Sequence, residues 1–151
     1  MRILLPVDDS PYSQEAVRAL VTQFQTRGAE VRVLHVIEQV RTFLTSGMVP
    51  EIAIDNAQIE AERLKESTSL VASTAQKLRN AGFATTEAVE RGDAKNVILD
   101  HAEKWAADLI IVGSHGLKGM SRFLLGSVSD AVARHAACSV QIVRVLVPRS
   151  E

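Results

Sequence analysis

Three glycines and a serine, Gly113, Gly116, Gly126 and Ser127, follow a short apolar run with the spacing G-x2-G-x9-G-S. Residues of these types at a strand–loop–helix junction can bind an anion through the main chain. Glycine admits close approach of backbone to a ligand. The first turn of a helix offers unpaired N–H groups and about half a positive charge from the macrodipole. The helix is expected to start near Gly126-Ser127, with Ser127 as cap and Asp130 three residues later completing an S-x-x-D capping box. The chain has no G-x-x-x-x-G-K-[ST], and its spacing differs from G-x-G-x-x-G, so the two commonest phosphate loops are excluded. A second set of chemical groups, Asp8 and Asp9, follows the first apolar run. These carboxylates are candidate Mg2+ ligands or, in the plainer reading, turn caps. His115, Lys118 and Arg122 lie in or beside the glycine segment and are candidate phosphate contacts, with solvated loop side chains as the alternative.

The elements that must position these groups alternate strand with helix, an α/β pattern. Arg2 to Val7 reads as the first strand, and Ser10 or Ser13 caps a helix running to about Arg27, where Gly28 closes it. Val31 to Ile37 reads as the second strand. Glu38 to Glu51 lacks clean periodicity, holds Gly47 and Pro50, and reads as a surface segment or lid. A long helix from about Glu51 to Asn80 places Ile54, Ala57, Ala61, Leu64, Thr68, Val71, Ala75 and Leu78 on one stripe, for which packing on a sheet is a better account than a coiled-coil seam. Gly82 follows as its stop. A third strand (about Thr85 to Glu90), a helix from Asp93 to Trp105, the buried strand Leu109 to Val112, the helix from Ser127 and a last strand (about Val140 to Val145) complete five strands.

The glycine segment resembles, residue for residue, the nucleotide-binding signature of the universal stress protein family. The front, Met1-Arg-Ile-Leu-Leu-Pro-Val-Asp-Asp-Ser10, is similar to that family's opening strand and P-x-D-x-S, with Asp9 where the family usually has glycine. The end, His135-Ala-Ala-Cys-Ser-Val-Gln-Ile-Val-Arg144, and the stretch Leu34 to Glu38 resemble it too. The resemblance implies a single-domain, Rossmann-like open five-stranded parallel sheet of order 3-2-1-4-5 with helices on both faces. The domain would span residues 1–147, with 148–151 as a tail. In that order the crevice between the first and fourth strands is the expected ligand site. By the same resemblance, Pro6, Val7 and Asp8 contact adenosine and Val36 offers backbone groups to adenine. Val112, Gly113, His115, Gly116, Gly126, Ser127, Val128 and Ser129 surround ribose and phosphates. The implied ligand is ATP, with AMP or another adenine nucleotide as alternatives, and Mg2+ is a candidate companion that Asp8 or Asp9 could hold. A homodimer through the last strand is also implied, and the apolar edge it leaves open agrees.

Composition narrows the remaining classes. The chain has 151 residues, 46% of them apolar, the size of one domain with a sizeable core. Its 17 basic and 18 acidic side chains give a net charge of -1, and 4% of residues are aromatic. Nothing there favours nucleic acid or an anionic membrane as partner. Apolar runs break within a few residues, and no signal-peptide pattern opens the chain, so a cytoplasmic protein is expected. Cys138 is the single cysteine, read as a small packed hydrophobe at the start of the last strand. The expected function is that of an ATP-binding stress-response regulator with at most slow hydrolysis. A dimeric interaction protein of the same fold without nucleotide, and more remotely a phosphoacceptor receiver domain, are the alternatives. Glu90 at the end of the third strand and Arg144-Val145 after the fifth do not supply the aspartate and lysine a receiver needs.

Overall fold

The computed structural model describes residues 1–39, 50–116 and 124–145. Its elements run β1 (Arg2–Pro6), α1 (Pro11–Gln23), β2 (Glu30–Ile37), α2 (Pro50–Asn80), β3 (Ala84–Arg91), α3 (Ala94–Lys104), β4 (Leu109–Gly113), α4 (Ser127–His135) and β5 (Ser139–Val143). All strand pairs are parallel, and the sheet order is β3-β2-β1-β4-β5, as the sequence led us to expect. The chain reverses its direction of travel across the sheet between β1 and β4, so their carboxyl ends diverge above a crevice.

Alternation along each strand divides the core in two. On one face Ile3, Leu5, Val31, Val33 and Ile111 pack against Ala16 and Leu20 of α1 and Val71, Ala75 and Leu78 of α2. On the other, Leu4, Leu34, Ile110 and Val112 meet Ile98 and Ala102 of α3 and Val132 of α4. Thirteen of these strand and helix side chains, among them Leu4, Leu34, Ile110 and Ile111, have no solvent exposure at all. Burying each Leu or Ile contributes about 1.5–3 kcal/mol, which makes the central strands a rigid platform for the loops above them. Cys138 is half-buried and packs against the second of these cores, as expected of a small hydrophobe.

Several local expectations are corrected. α1 stops at Gln23, short of Arg27, because Phe24 is extended (φ -113°, ψ 146°) and turns its ring onto the core. Gly28, at φ +77°, makes the later turn into β2, where its carbonyl accepts from the amino terminus at 2.7 Å. Only the lower half of the α2 stripe is core: Ser67, Val71, Thr74, Ala75 and Leu78 are buried, whereas Ala57, Ala61, Leu64 and Thr68 are exposed. The helix continues past the end of the sheet that would cover it. The side chain of Ile54, most of the expected lid (residues 40–49), Lys118, Arg122 and the tail from residue 146 lie outside the described residues; Pro50 and Glu51 begin α2. On the α3 face, the Arg32 guanidinium lies 4.4 Å from the Trp105 ring centroid, and its Nη1 is 3.4 Å from His101 Nε2. Burial, with Arg32 beside it, lowers the His101 pKa below its ordinary 6.5. Among the described residues no helix is long and apolar enough to cross a membrane.

Candidate functional site

The carboxyl ends of β1, β2 and β4 bring the sequence-predicted residues together. β1 ends at Pro6, and the turn that follows is held by its own side chains: the Ser10 amide donates to Asp8 Oδ1 at 3.1 Å, and the Asp8 amide donates to Ser13 Oγ at 3.1 Å. Ser10 Oγ in turn accepts from the Ser13 amide at 3.1 Å and caps α1, with Pro11 in the first helical turn. Asp8 Oδ1 is therefore a turn cap, the plainer of its two sequence readings, while Oδ2 faces the glycine loop.

That loop is glycine-rich for reasons of space. A Cβ on Gly113 would stand 2.7 Å from the Tyr12 carbonyl carbon and oxygen. One on Gly116 would stand 2.8 Å from Asp8 Oδ2, and one on Gly126 3.1 Å from His115 Cα. None of the three has a positive φ, so close approach and not left-handed backbone accounts for them. Gly113 makes room for the start of α1, and Gly116 and Gly126 let the loop fold over Asp8 and back onto β4. The Gly126 amide donates to the Ser114 carbonyl at 2.8 Å, and Ser114 is itself buried.

This tie changes the start of α4. Gly126 occupies the cap position, Ser127 becomes the first helical residue, and no side chain caps the helix. The capping box read from Ser127 and Asp130 does not form; Asp130 instead pairs with Arg134, both oxygens 3.0 Å from its Nε. The first intrahelical bond runs from the Asp130 amide to the Gly126 carbonyl. The amides of Ser127, Val128 and Ser129 consequently have no partner among the described residues, which is the arrangement that attracts an anion. The Ser129 hydroxyl is buried and donates to the Gly113 carbonyl at 2.6 Å, so its side chain braces β4 and only its amide faces outward.

The His115 ring lies tilted against Tyr12, centroids 5.0 Å apart and planes at 47°, with its Nδ1 3.1 Å from Ser114 Oγ, and its Nε2 is buried without a partner among the described residues. A buried unpaired nitrogen is uncommon and marks a position where another molecule can complete the bonding. On β2, the His35 imidazole reaches across to the Val7 carbonyl at 2.7 Å. Tyr12 and His35 are neighbours of the site that the sequence reading did not assign to it, and Ser13 was read only as a possible helix cap. For His35 the signal was available: it takes an inward position after Val31 and Val33, at the end of a strand. Two hollows among the described residues lie away from this crevice. One, of about 460 Å3, is an open depression by Met1, Gly28 and Gly82; the other, of about 200 Å3, lies between α3 and Cys138. Among the described residues no group of three or more His, Cys, Asp or Glu side chains converges as a metal site.

Comparison with known proteins follows the same outline. The model of the universal stress protein family matches residues 1–144. Universal stress protein YxiE of Bacillus subtilis is 33% identical over 147 residues, covering 95% of this chain and 98% of its own length. Among solved structures, universal stress protein UspA from Lactobacillus plantarum superposes with a TM-score of 0.79 at 23% identity, covering 95% of this chain and 97% of its own. A family member from Arabidopsis thaliana, solved with AMP bound, superposes with a TM-score of 0.69 at 19% identity over 100% of this chain and 96% of its own. At those two identities the likeness is one of fold.

Proposed function

The chain belongs to the universal stress protein family, and on that premise we propose that it binds an adenine nucleotide, ATP in the first instance, as a homodimeric regulator. The observation that carries this reading is that two kinds of main-chain group without a partner among the described residues meet at one crevice. Three outward amides begin α4. Val36, near the end of β2, directs its own N–H and C=O past the end of β1.

The two ends are chemically unlike, which orients the ligand. A purine edge needs a donor and an acceptor side by side, as Val36 offers. A polyphosphate is repelled by the Asp8 carboxylate and attracted by the positive end of α4. The phosphates therefore sit at Gly116, Gly126, Ser127, Val128 and Ser129, with His115 Nε2 as a side-chain contact. Pro6, Val7 and Asp8 line the nucleoside, and Val112 and Gly113 form the floor. The described side chains offer no cage for a cation, so an Mg2+ ion would arrive on the phosphates and take at most Asp8 Oδ2 from the protein. Its contribution would be to neutralise phosphate charge. The family member solved with AMP bound supports an adenine ligand.

The homodimer rests on β5. It pairs with β4 along one side and forms an edge of the sheet along the other, with Val140, Ile142 and Val143 partly buried. An apolar edge strand of this kind favours pairing with a second copy. The proposed regulator works in the cytoplasm, its bound nucleotide altering conformation or partner choice. Mass analysis of small molecules released from freshly purified protein tests the ligand. It should detect an adenine nucleotide, and added ATP should raise the melting temperature. Protein that carries none, and whose melting is indifferent to ATP and AMP, refutes the reading. Sedimentation at micromolar concentration tests the dimer separately.

A further inference from the structure

We infer that His35 is a positioning residue: by taking the Val7 carbonyl, it keeps the Val36 amide free to meet a purine. The inference rests on the proposed reading of the crevice as an adenine site, but its central step is visible in the hydrogen bonding alone.

In a parallel ladder successive residues of a central strand turn their N–H and C=O groups to opposite neighbours. The Val7 amide donates to the Leu34 carbonyl at 2.8 Å, so Leu34 faces β1. The Gly92 amide donates to the Ile37 carbonyl at 3.1 Å, so Ile37 faces β3. Val36, two residues beyond Leu34, therefore faces β1. The next rung of the β1–β2 ladder would join the Val36 amide to the Val7 carbonyl. It is not made: pairing ends at Pro6 and Leu34, and Val7 is no longer strand.

The Val7 carbonyl is instead bonded by the imidazole at 2.7 Å. A carbonyl can only accept, so Nδ1 of His35 carries the proton. His35 shares the face of β2 that holds Val31 and Val33, and its side chain stands out from the sheet. A carbonyl bonded to that ring is drawn out of the sheet plane toward the α1 and α2 side, away from Val36. Without the ring, the same carbonyl is placed to fall back in plane, extend the ladder by one rung and close the donor that an adenine would use. His35 thus sets where β1 stops pairing, and through that the competence of Val36.

The test compares the full chain with His35→Ala, His35→Leu and His35→Asn. Two readouts are used: exchange of the Val36 amide by NMR without nucleotide, and affinity for ATP and AMP. In the wild type the Val36 amide exchanges quickly and becomes protected on nucleotide binding. In His35→Ala, and in the volume-filling His35→Leu should the alanine variant not fold, it becomes protected at least tenfold without nucleotide. Affinity falls about tenfold, the effect of losing one hydrogen bond. His35→Asn, whose side-chain amide reaches the position of Nδ1, restores both. Unchanged Val36 exchange in the alanine or leucine variant overturns the inference. So does a loss of affinity that asparagine does not rescue, because lost packing alone would produce it. A wild type that binds neither nucleotide refutes the proposed ligand, while the exchange comparison still decides for or against His35.

Discussion

Gly113 and Gly116 belong to one motif, yet the structure assigns them different work, and alanine at each separates the two. At Gly113 the added Cβ would be 2.7 Å from two backbone atoms of Tyr12 and 2.8 Å from its Cβ. Ordinary contact begins at 3.4 Å, so the start of α1 must retreat by roughly 0.7 Å. It cannot do so alone, because Ser10, Ser13 and Asp8 tie that turn together and Ala16 and Leu20 lock the helix to the sheet. Overpacking against such a fixed neighbour costs about 1–3 kcal/mol. For a chain of this length that lowers Tm by roughly 2–12 °C, and the urea midpoint falls by about 1 M at unchanged m. At Gly116 the Cβ meets, among the described residues, only Asp8 Oδ2, the end of a side chain, at 2.8 Å. Gly116→Ala should therefore change stability by less than about 1 kcal/mol, while displacing the Asp8 carboxylate and weakening the ATP-dependent rise in Tm. Urea unfolding of both variants, followed by melting with and without ATP, reads the two effects. A Gly113→Ala protein as stable as the wild type, or a Gly116→Ala protein that loses more stability than it, would refute the assignment of Gly113 to the α1 contact.

Three further outcomes are expected. His101 is neutral in the fold because burial and the neighbouring Arg32 and Lys104 disfavour its cation, against the opposing pull of Glu90. Its folded pKa lies below the unfolded value, so its contribution to stability is intact above about pH 6.5 and is lost as the pH falls through the folded pKa. His101→Gln keeps an acceptor for Arg32 and should flatten the decline in Tm between neutral and mildly acidic pH; an unchanged slope would count against the cluster. Ser129→Ala leaves the Gly113 carbonyl without its donor and should cost about 1–2 kcal/mol, measured by urea unfolding, while changing ATP affinity less than about twofold, since only the Ser129 amide faces the ligand. Ile111→Ala, at a side chain with no exposure in the central strand β4, should cost about 2–5 kcal/mol in the same unfolding assay.

The strands and the α/β class were legible in the sequence because they depend on long-period features, whereas the sheet order, and with it the meeting of Asp8 with the glycine loop, came from the resemblance to the universal stress protein family. Runs such as Leu109 to Val112 read as strands buried on two faces, and the alternation of strand and helix leaves few topologies open. What was not legible depended on competition for a single donor or acceptor. Ser127 has the right type and spacing for a capping box, but the Gly126 amide is claimed by Ser114, which pushes the cap one residue back. The α2 stripe has helical period over its whole length, but period does not say where the sheet beneath it ends. Ser129 reads as a ligand contact, but its type and spacing do not show that its hydroxyl is spent on the Gly113 carbonyl, which leaves its amide for that role.

His35 extends the same argument to function. Strand pattern assigns it an inward position, and β propensity says nothing of what its ring will bond. Which of two donors, the His35 ring or the Val36 amide, reaches the Val7 carbonyl decides whether β1 gains a sixth rung or the crevice keeps a free amide. The two arrangements exchange one hydrogen bond for another, a net difference of about 1 kcal/mol, far below the burial energy that fixes the fold. A site built on so small a difference can be lost without disturbing the sheet. Stability measurements alone would therefore not reveal its loss, whereas exchange at the single amide of Val36 would.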